Sequence, residues 1–211
     1  MIKKVLVAVP LALAMLIVSI AIGLGVIHLT NFIYYIDIEA LDIPAESGYE
    51  RGEILDNYHA VMDYLSPFND DEFRLPTMEY SDSGAFHFEE CKVIFNAIYF
   101  MGACGFVFLA LMMCFYRDKL TYRISGIMTL CLPLTVVLAM AVNFEASFVL
   151  FHKLLFNNMD WIFDPRFDEI IRILPADFFM HCGIFIACCV LVGASIFIFK
   201  GFRSVGRRVR K

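Results

Sequence analysis

Four long apolar segments, free of Asp, Glu, Lys and Arg, dominate this chain of 211 residues. They cover residues 5–27, 93–116, 124–142 and 178–199, and each approaches or exceeds the roughly 20 residues that a helix needs to cross a bilayer. Hydrophobic residues make up 60% of the sequence and charged residues 18%, which excludes an ordinary soluble globule. We therefore predict a multi-pass membrane protein built on a bundle of four transmembrane helices.

Positive charge is distributed unevenly between the two sides of these segments. The short side (1–4, 117–123 and 200–211) carries eleven Lys or Arg and one acid, whereas the long side (28–92 and 143–177) carries six basic residues and 21 acids. Because Lys and Arg are retained on the cytoplasmic face during insertion, we predict both termini inside and both long loops outside.

The two ends of the sequence fit this topology. Residues 5–27 are longer than the roughly 7–15-residue core of a signal peptide, so we interpret them as a retained membrane anchor. The basic cluster from Arg203 to Lys211 follows the last apolar segment, and we interpret it as a topology anchor that touches anionic membrane lipid. Nucleic acid is not an expected partner.

The two long loops are predicted to form one small α+β head, so that residues 1–211 make a single integral membrane domain. In the first loop, apolar residues at helical spacing predict a helix over 58–65 with Asp56–Asn57 as N-caps. Residues 73–80 fit an extended edge strand, and Ser81 to Gly84 fit a turn. His87 then precedes Glu89–Glu90, which suit the positive N-terminus of the second spanning helix.

In the second loop, residues 144–155 are predicted to continue the third span as a helix that ends at Asn157–Asn158. Trp161 to Pro165 fit a loop at the membrane surface, and Phe167 to Leu174 predict another short helix. The seven cysteines form no CxxC pattern and lie mostly within spans, so no disulfide is expected, including one between Cys91 and Cys182.

All five histidines belong to the outer half, where imidazole can accept and donate protons near neutral pH. His28 and His181 sit at the ends of spans and favour a structural role, and His59 favours a solvated pair with Asp63. The other two, His87 and His152, are better candidates for chemistry.

Each of these two histidines has an acidic neighbour. Glu90 follows His87 by three residues, close enough on one helix to orient the imidazole, although a plain helix-dipole role also fits. His152 lies on an otherwise apolar helix two turns after Glu145, and a polar group near membrane depth is costly enough that function is the default interpretation.

Several motifs are absent from the sequence. It contains no G-x-S-x-G elbow, no H-E-x-x-H helix, no phosphate-binding P-loop and no dinucleotide fingerprint. These absences weigh against a serine hydrolase, a zinc protease and a nucleotide-driven pump. The lack of charged residues within the spans weighs against a transporter.

Five sequence blocks resemble the bacterial lipoprotein intramolecular transacylase family. That family has F-x-x-F-H-x-x-F-F-x-N, W-x-x-D-P and L-P-x-x-F-F blocks, in this order, between its third and fourth spans. The resemblance covers nearly the whole chain, including the four-span layout, and the order of the blocks is more specific than any single block. The matching segments are Asn143–Phe156, Asn157–Pro165, Leu174–Phe179, Asn57–Leu65 and His87–Lys92.

The sequence departs from the family pattern around the first histidine. Where the family tends to have Asp, Val and an upstream acid, this chain has Glu90, Cys91 and Gly84. Glu90 keeps the charge, whereas Gly84 removes the upstream acid from this position.

The resemblance implies a membrane acyltransferase of the bacterial cytoplasmic membrane, without a cofactor or a metal. Its substrate is a lipoprotein with a diacylglyceryl-modified N-terminal cysteine, and the sn-2 acyl chain moves from glycerol to the α-amino group, which leaves a lyso-form lipoprotein. We expect His87, oriented by Glu90, to act as general base and acid, and His152 to stabilise the tetrahedral intermediate or share the proton transfer; the reverse assignment is also open. Weaker candidates for holding the substrate are Tyr58, Glu145 and Trp161.

Two alternatives stay open at this point. In a metal-dependent membrane hydrolase, the histidines would converge on zinc through three protein ligands. In a non-catalytic binding or sensor protein, the acidic head would dock a partner and the bundle would only anchor it. The sequence does not specify the oligomeric state.

Overall fold

The computed structural model describes residues 1–202, with the side chain of Leu132 excepted, and this part of the chain is mainly helical. Four of its helices are long and apolar enough to cross a membrane, as the sequence predicted. The basic cluster from Arg203 to Lys211 lies outside the described residues. In chain order the helices are α1 (Ile2–Thr30), α2 (Phe32–Ala40), α3 (Ile43–Ser47), α4 (Arg51–Tyr64), α5 (Asp82–Phe115), α6 (Lys119–Val142), α7 (Phe144–Leu155), a 3₁₀ turn (Glu169–Arg172) and α8 (Ala176–Phe202).

The four spans α1, α5, α6 and α8 pack around α1, which touches each of the other three. Small residues permit the close approaches. A Cβ atom built on Gly126 of α6 would lie 2.8 Å from the carbonyl oxygen of Ala194 in α8. A Cβ on Gly102 of α5 would collide with the side chain of Ala21 in α1. Such contacts are typical of bundles in lipid, where helices associate through close backbone packing.

Polar contacts tie three chain segments together at one end of the bundle. Lys4 forms a salt bridge of 2.8 Å with Asp118, whose carboxylate also caps the start of α6 by accepting from the Thr121 amide. Lys200 near the end of α8 donates to the carbonyl oxygen of Met113 at 3.0 Å. The two outermost described segments of the chain therefore lie at the same end of the bundle, opposite the head.

The head is built on helices α2 to α4, and the first two of these carried no prediction. Asn31 adopts a left-handed conformation (φ 52°) between α1 and α2, which a short polar side chain tolerates. The Tyr34 ring stacks on Tyr58 at 3.6 Å, and the Tyr34 hydroxyl donates to the carbonyl oxygen of Ile173. Phe178 at the start of α8 meets the Tyr34 ring edge-on, so the head and the bundle share one core.

The predicted α+β character of the head was wrong, because no strand occurs within residues 1–202. Asn57, expected as an N-cap, instead lies buried in the middle of α4. Its carboxamide oxygen accepts from the amides of Thr77 and Met78, and its nitrogen donates to the Thr77 hydroxyl at 2.7 Å. Side chains thus bond to the amides of Thr77, Met78 and Glu79 and to the carbonyl oxygen of Phe73, in place of the hydrogen bonds that a partner strand would supply.

Three helix boundaries also differ from the predictions. Ser81 accepts from the Gly84 amide and is the N-cap of α5, so the predicted turn is the first turn of a helix and Glu90 lies beyond it. Asn143 is extended and caps α7 through the Ala146 amide, so α7 is a separate helix rather than a continuation of α6. The helix predicted from Phe167 to Leu174 is reduced to one 3₁₀ turn.

The buried carboxamide of Asn57 yields a first prediction. Asn57→Ala would leave the amides of Thr77 and Met78 unpaired and lower the free energy of unfolding by roughly 2–4 kcal/mol. Denaturant unfolding in detergent measures the change. Asp56→Ala, at an exposed neighbouring position on α4, is the control and is expected to change stability by at most about 0.5 kcal/mol. Equal stability of the two variants would contradict the role of Asn57.

Candidate active site

His87 lies in the second turn of α5, before the apolar segment that spans the membrane. The side chain is 7% exposed. Phe156 and Phe163 cover the imidazole edge-on, with ring centroids 4.7 and 5.5 Å from it. The Nε2 atom lies 3.5 Å from the Cys91 thiol, and Nδ1 is buried without a hydrogen-bond partner among the described residues.

This environment keeps the His87 ring neutral. Burial, with a smaller contribution from repulsion by a protonated His152, lowers the pKa of His87 to about 4. The imidazole therefore carries no charge at neutral pH. A neutral ring that retains one free nitrogen is suited to hydrogen bonding with a reacting group.

His152 is the one buried residue of α7, at 9% exposure. The exposed surface of the helix is mainly apolar, with Glu145 and Lys153 as its charged residues, and the imidazole is the one side chain of the helix that is buried. The large apolar side chains on this surface are Leu150, Phe151, Leu154 and Leu155. This pattern fits a helix that lies along the membrane surface and projects a single histidine towards the protein.

The hydrogen bond to its own helix sets the tautomer of His152. Its Nδ1 lies 2.8 Å from the carbonyl oxygen of Phe148, and because a carbonyl can only accept, Nδ1 carries the proton. In the neutral ring, Nε2 then holds a free lone pair. Burial lowers the pKa of His152, opposed by the Phe148 carbonyl, so this lone pair is available at neutral pH.

The fold brings the two histidines together from different helices. Their ring centroids are 5.9 Å apart, although 65 positions separate them in sequence. Phe156 contacts both rings, and Trp161 stacks on His152 at 4.9 Å. The result is a proton acceptor and a second imidazole facing one another inside an aromatic enclosure.

Asn158 links this enclosure to α5. Its side-chain nitrogen Nδ2 donates to Glu90 Oε1 at 2.9 Å, and its backbone carbonyl oxygen accepts from the Trp161 indole at 3.1 Å. The sequence indicated only that a helix ends at this residue. A hydrogen-bonding role for one partly buried asparagine in a loop gives no periodic signal in the sequence, and so Asn158 was missed.

The other predicted site residues divide into two groups. Trp161 belongs to the site, and Glu90 lies beside it but bonds to Asn158 rather than orienting His87 as expected. Tyr58 is 1% exposed, and its hydroxyl donates to Asn31 within the core of the head. Glu145 is exposed in the first turn of α7, where an acid stabilises the helix N-terminus.

The remaining histidines are engaged elsewhere. His59 pairs with the Tyr35 hydroxyl at 2.9 Å rather than with Asp63, and His181 contacts the buried carboxylate of Asp37 at 2.9 Å. His28 contacts the Tyr99 hydroxyl. The convergence expected for a zinc hydrolase does not occur, and the part of the chain that the structure describes contains no cluster of three or more suitable ligands.

An acid does lie next to Gly84, but another element supplies it. The Asp168 carboxylate, 4% exposed, accepts from the amide and the hydroxyl of Ser81 at 2.9 and 2.8 Å. A Cβ at position 84 would collide with it. Glycine at this position therefore makes room for a buried carboxylate that secures the start of α5.

Comparison with known proteins gives one consistent family. The model of the lipoprotein intramolecular transacylase Lit family matches residues 6–179. A solved structure of the membrane integral lipoprotein intramolecular transacylase Lit from Bacillus cereus is 32% identical, covers 92% of this chain and 92% of its own, and has a TM-score of 0.84.

Two further structures of that Bacillus cereus protein carry a histidine replaced by arginine or by alanine. They are each 31% identical, cover 94% and 95% of this chain and 92% of their own, and have TM-scores of 0.78 and 0.80. Among curated proteins, none matches this chain.

The cause of the low pKa of His87 is open to direct test. Phe156→Ala removes a ring that keeps water from the imidazole, so the pKa of His87 is expected to rise from about 4 towards the unperturbed value near 6.5. NMR titration of histidine-labelled protein measures it. Phe86→Ala, at a 47% exposed position on the same helix, is the control. A pKa that stays near 4 in Phe156→Ala would rule out this ring as the cause.

Proposed function

The chain belongs to the lipoprotein intramolecular transacylase family, and on that basis we propose how its two buried histidines carry out the reaction. The protein is a membrane acyltransferase that moves the sn-2 acyl chain of a diacylglyceryl-modified N-terminal cysteine to the cysteine α-amino group. The observation that carries the proposal is the pair formed by His87 and His152 inside one aromatic enclosure.

The substrate itself supplies both reacting groups. The amine and the sn-2 ester belong to one molecule and meet through an eight-membered ring, so positioning replaces a bimolecular encounter and supplies several kcal/mol. No covalent enzyme nucleophile is required. The protein has to remove a proton from the amine, stabilise the oxyanion and protonate the departing glycerol oxygen.

We assign the proton transfer to His152. Its Nε2 lone pair accepts a proton from the amine as the nitrogen–carbon bond forms. The imidazolium then returns this proton to the glycerol oxygen as the carbon–oxygen bond breaks. The Phe148 carbonyl, which accepts from Nδ1, stabilises the charged ring between the two transfers.

We assign the stabilisation of the oxyanion to His87. Burial raises the pKa of the Cys91 thiol to about 12, so the thiol keeps its proton, and we assign that proton to the contact with His87 Nε2. The neutral ring then carries its proton on Nδ1, a buried donor without a protein partner. A hydrogen bond from such a donor strengthens most when the ester carbonyl oxygen becomes the negatively charged oxyanion. These roles of His152 and His87 are the reverse of those first expected from the sequence, because Glu90 bonds to Asn158 and does not pair with His87.

Neighbouring residues hold this arrangement in place. Trp161 stacks on the His152 ring and fixes its plane, and Asn158 fixes Trp161. We assign no substrate contact to the exposed Glu145, which stabilises α7, or to the buried Tyr58, which packs in the core of the head.

The proposed site lies on the extracytoplasmic side, with both termini in the cytoplasm. The eleven basic residues of the short side support this orientation, as do the contacts of Lys4 and Lys200 at the end of the bundle opposite the head. The apolar outer face of α7 suits contact with the outer leaflet, from which a lipid-anchored substrate would enter.

Substitution of the two histidines tests these assignments. We expect His152→Ala to lower turnover of a diacylglyceryl lipopeptide by about 10²–10⁴-fold, and His87→Ala by about 10²–10³-fold. Mass spectrometry of the lipopeptide follows acyl transfer from glycerol to the amine. His59→Ala, a head histidine bonded to Tyr35, is the matched control and should retain activity. Near-normal turnover by both variants would refute the proposal.

The pH dependence provides a second test. The substrate amine, with a reference pKa near 7.7–8.0, is the last group to lose its proton, because burial lowers the pKa of both histidines. We expect kcat/KM to rise with pH and to reach half its maximum near pH 7.7–8.0. A profile that is flat between pH 6 and 9 would exclude this limiting group.

A further inference from the structure

Two polar side-chain atoms, from residues about one turn apart on α5, are buried and have no hydrogen-bond partner within residues 1–202. They are Nδ1 of His87 and Oε2 of Glu90. Residues three apart lie on the same side of a helix, with Cβ atoms about 5–6 Å apart. A third such atom, Oδ1 of Asn96, lies about 2.5 turns after His87 and so faces the opposite side of the helix.

Only one of the two carboxylate oxygens of Glu90 has a hydrogen-bond donor within the described residues. Its Oε1 accepts from Asn158, but the described part of the chain offers it no ion pair. The nearest basic residue in sequence, Lys92, places its ammonium 4.3 Å from the Tyr64 ring instead. A buried carboxylate oxygen without a donor is costly, and a charged or strongly polar donor is the group that best relieves this cost.

The substrate of the proposed reaction carries such a donor. An amino group has N–H bonds in both its protonated and its neutral form, so a contact with a carboxylate persists when the amine loses a proton to become nucleophilic. The same molecule carries an ester carbonyl oxygen that can accept from His87. Before reaction, the amine nitrogen and the carbonyl carbon must approach to about 3–3.5 Å.

We propose that Glu90 Oε2 binds the α-amino group of the substrate's N-terminal cysteine while His87 Nδ1 donates to the sn-2 ester carbonyl. Neighbouring positions on one helix thereby hold the two reacting groups of one molecule together. The inference rests on the proposed function and adds a binding site for the amine to it. Asn158 is then a positioning residue, because it restrains the Glu90 carboxylate through the other oxygen.

The proposed amine site predicts discrimination against an N-acetylated substrate. Purified wild-type protein in detergent is expected to bind a diacylglyceryl lipopeptide with a free N-terminus at least about tenfold more tightly than its N-acetyl analogue, since a charge-assisted hydrogen bond is lost. Half-saturation for the first peptide and competitive inhibition by the second give this ratio. Equal affinity of the wild-type protein for both peptides would overturn the inference without any variant.

Glu90→Gln is the decisive substitution, because the amide keeps an oxygen for Asn158 but removes the charge. The ratio is expected to fall to within about twofold in Glu90→Gln and to be largely kept in Glu90→Asp. Glu89→Gln, the exposed neighbouring acid, is the matched control and should retain the full ratio. An unchanged ratio in Glu90→Gln, or an equal loss in Glu89→Gln, would overturn the inference. If the wild-type protein produced no N-acyl product, the proposed function itself would fail, which is a distinct result.

Discussion

The geometry of the site depends on the break in the helix at Asn143. A helix that continued straight from α6 would carry His152 about 15 Å beyond the end of the span. The extended backbone of Asn143 interrupts the helix, and its side chain caps the new one, so the change of direction leaves no unsatisfied amide at Ala146. Because α7 can then turn back, its single buried residue meets His87.

Desolvation is the second constraint, and it acts on both histidines through the same rings. Phe156 contacts His87 and His152 alike, so the loop that follows α7 excludes water from both imidazoles at once. Burial destabilises the charged form of an imidazole relative to the neutral form. A neutral imidazole can act as a general base through one nitrogen or donate a hydrogen bond through the other. The aromatic residues that a membrane surface favours therefore also set the protonation state of the site.

The hydrogen bonds around Asn158 connect these two constraints. They join Glu90 on α5 to Trp161 in the loop, and Trp161 in turn packs on His152. Three separate pieces of chain thus hold one arrangement through a single carboxamide and its backbone. Such a network is specific only when its members are satisfied, and the atoms of Glu90 and His87 that lack a partner among the described residues are the ones assigned to the substrate.

The sequence by itself determined the four spans. An apolar segment long enough to cross the bilayer must form a helix there, whatever the rest of the chain does, and its length can be counted in the sequence. It also singled out His87 and His152, since a histidine on an apolar helix and a histidine beside an acid are visible without a fold. Only the tertiary structure decided that Glu90 bonds to Asn158, that Tyr58 belongs to the core, and that Thr77 and Met78 bond to Asn57 instead of to a partner strand. The physical reason is that each of these outcomes is a competition between partners distant in sequence, and periodicity carries no information about which partner is nearest in space.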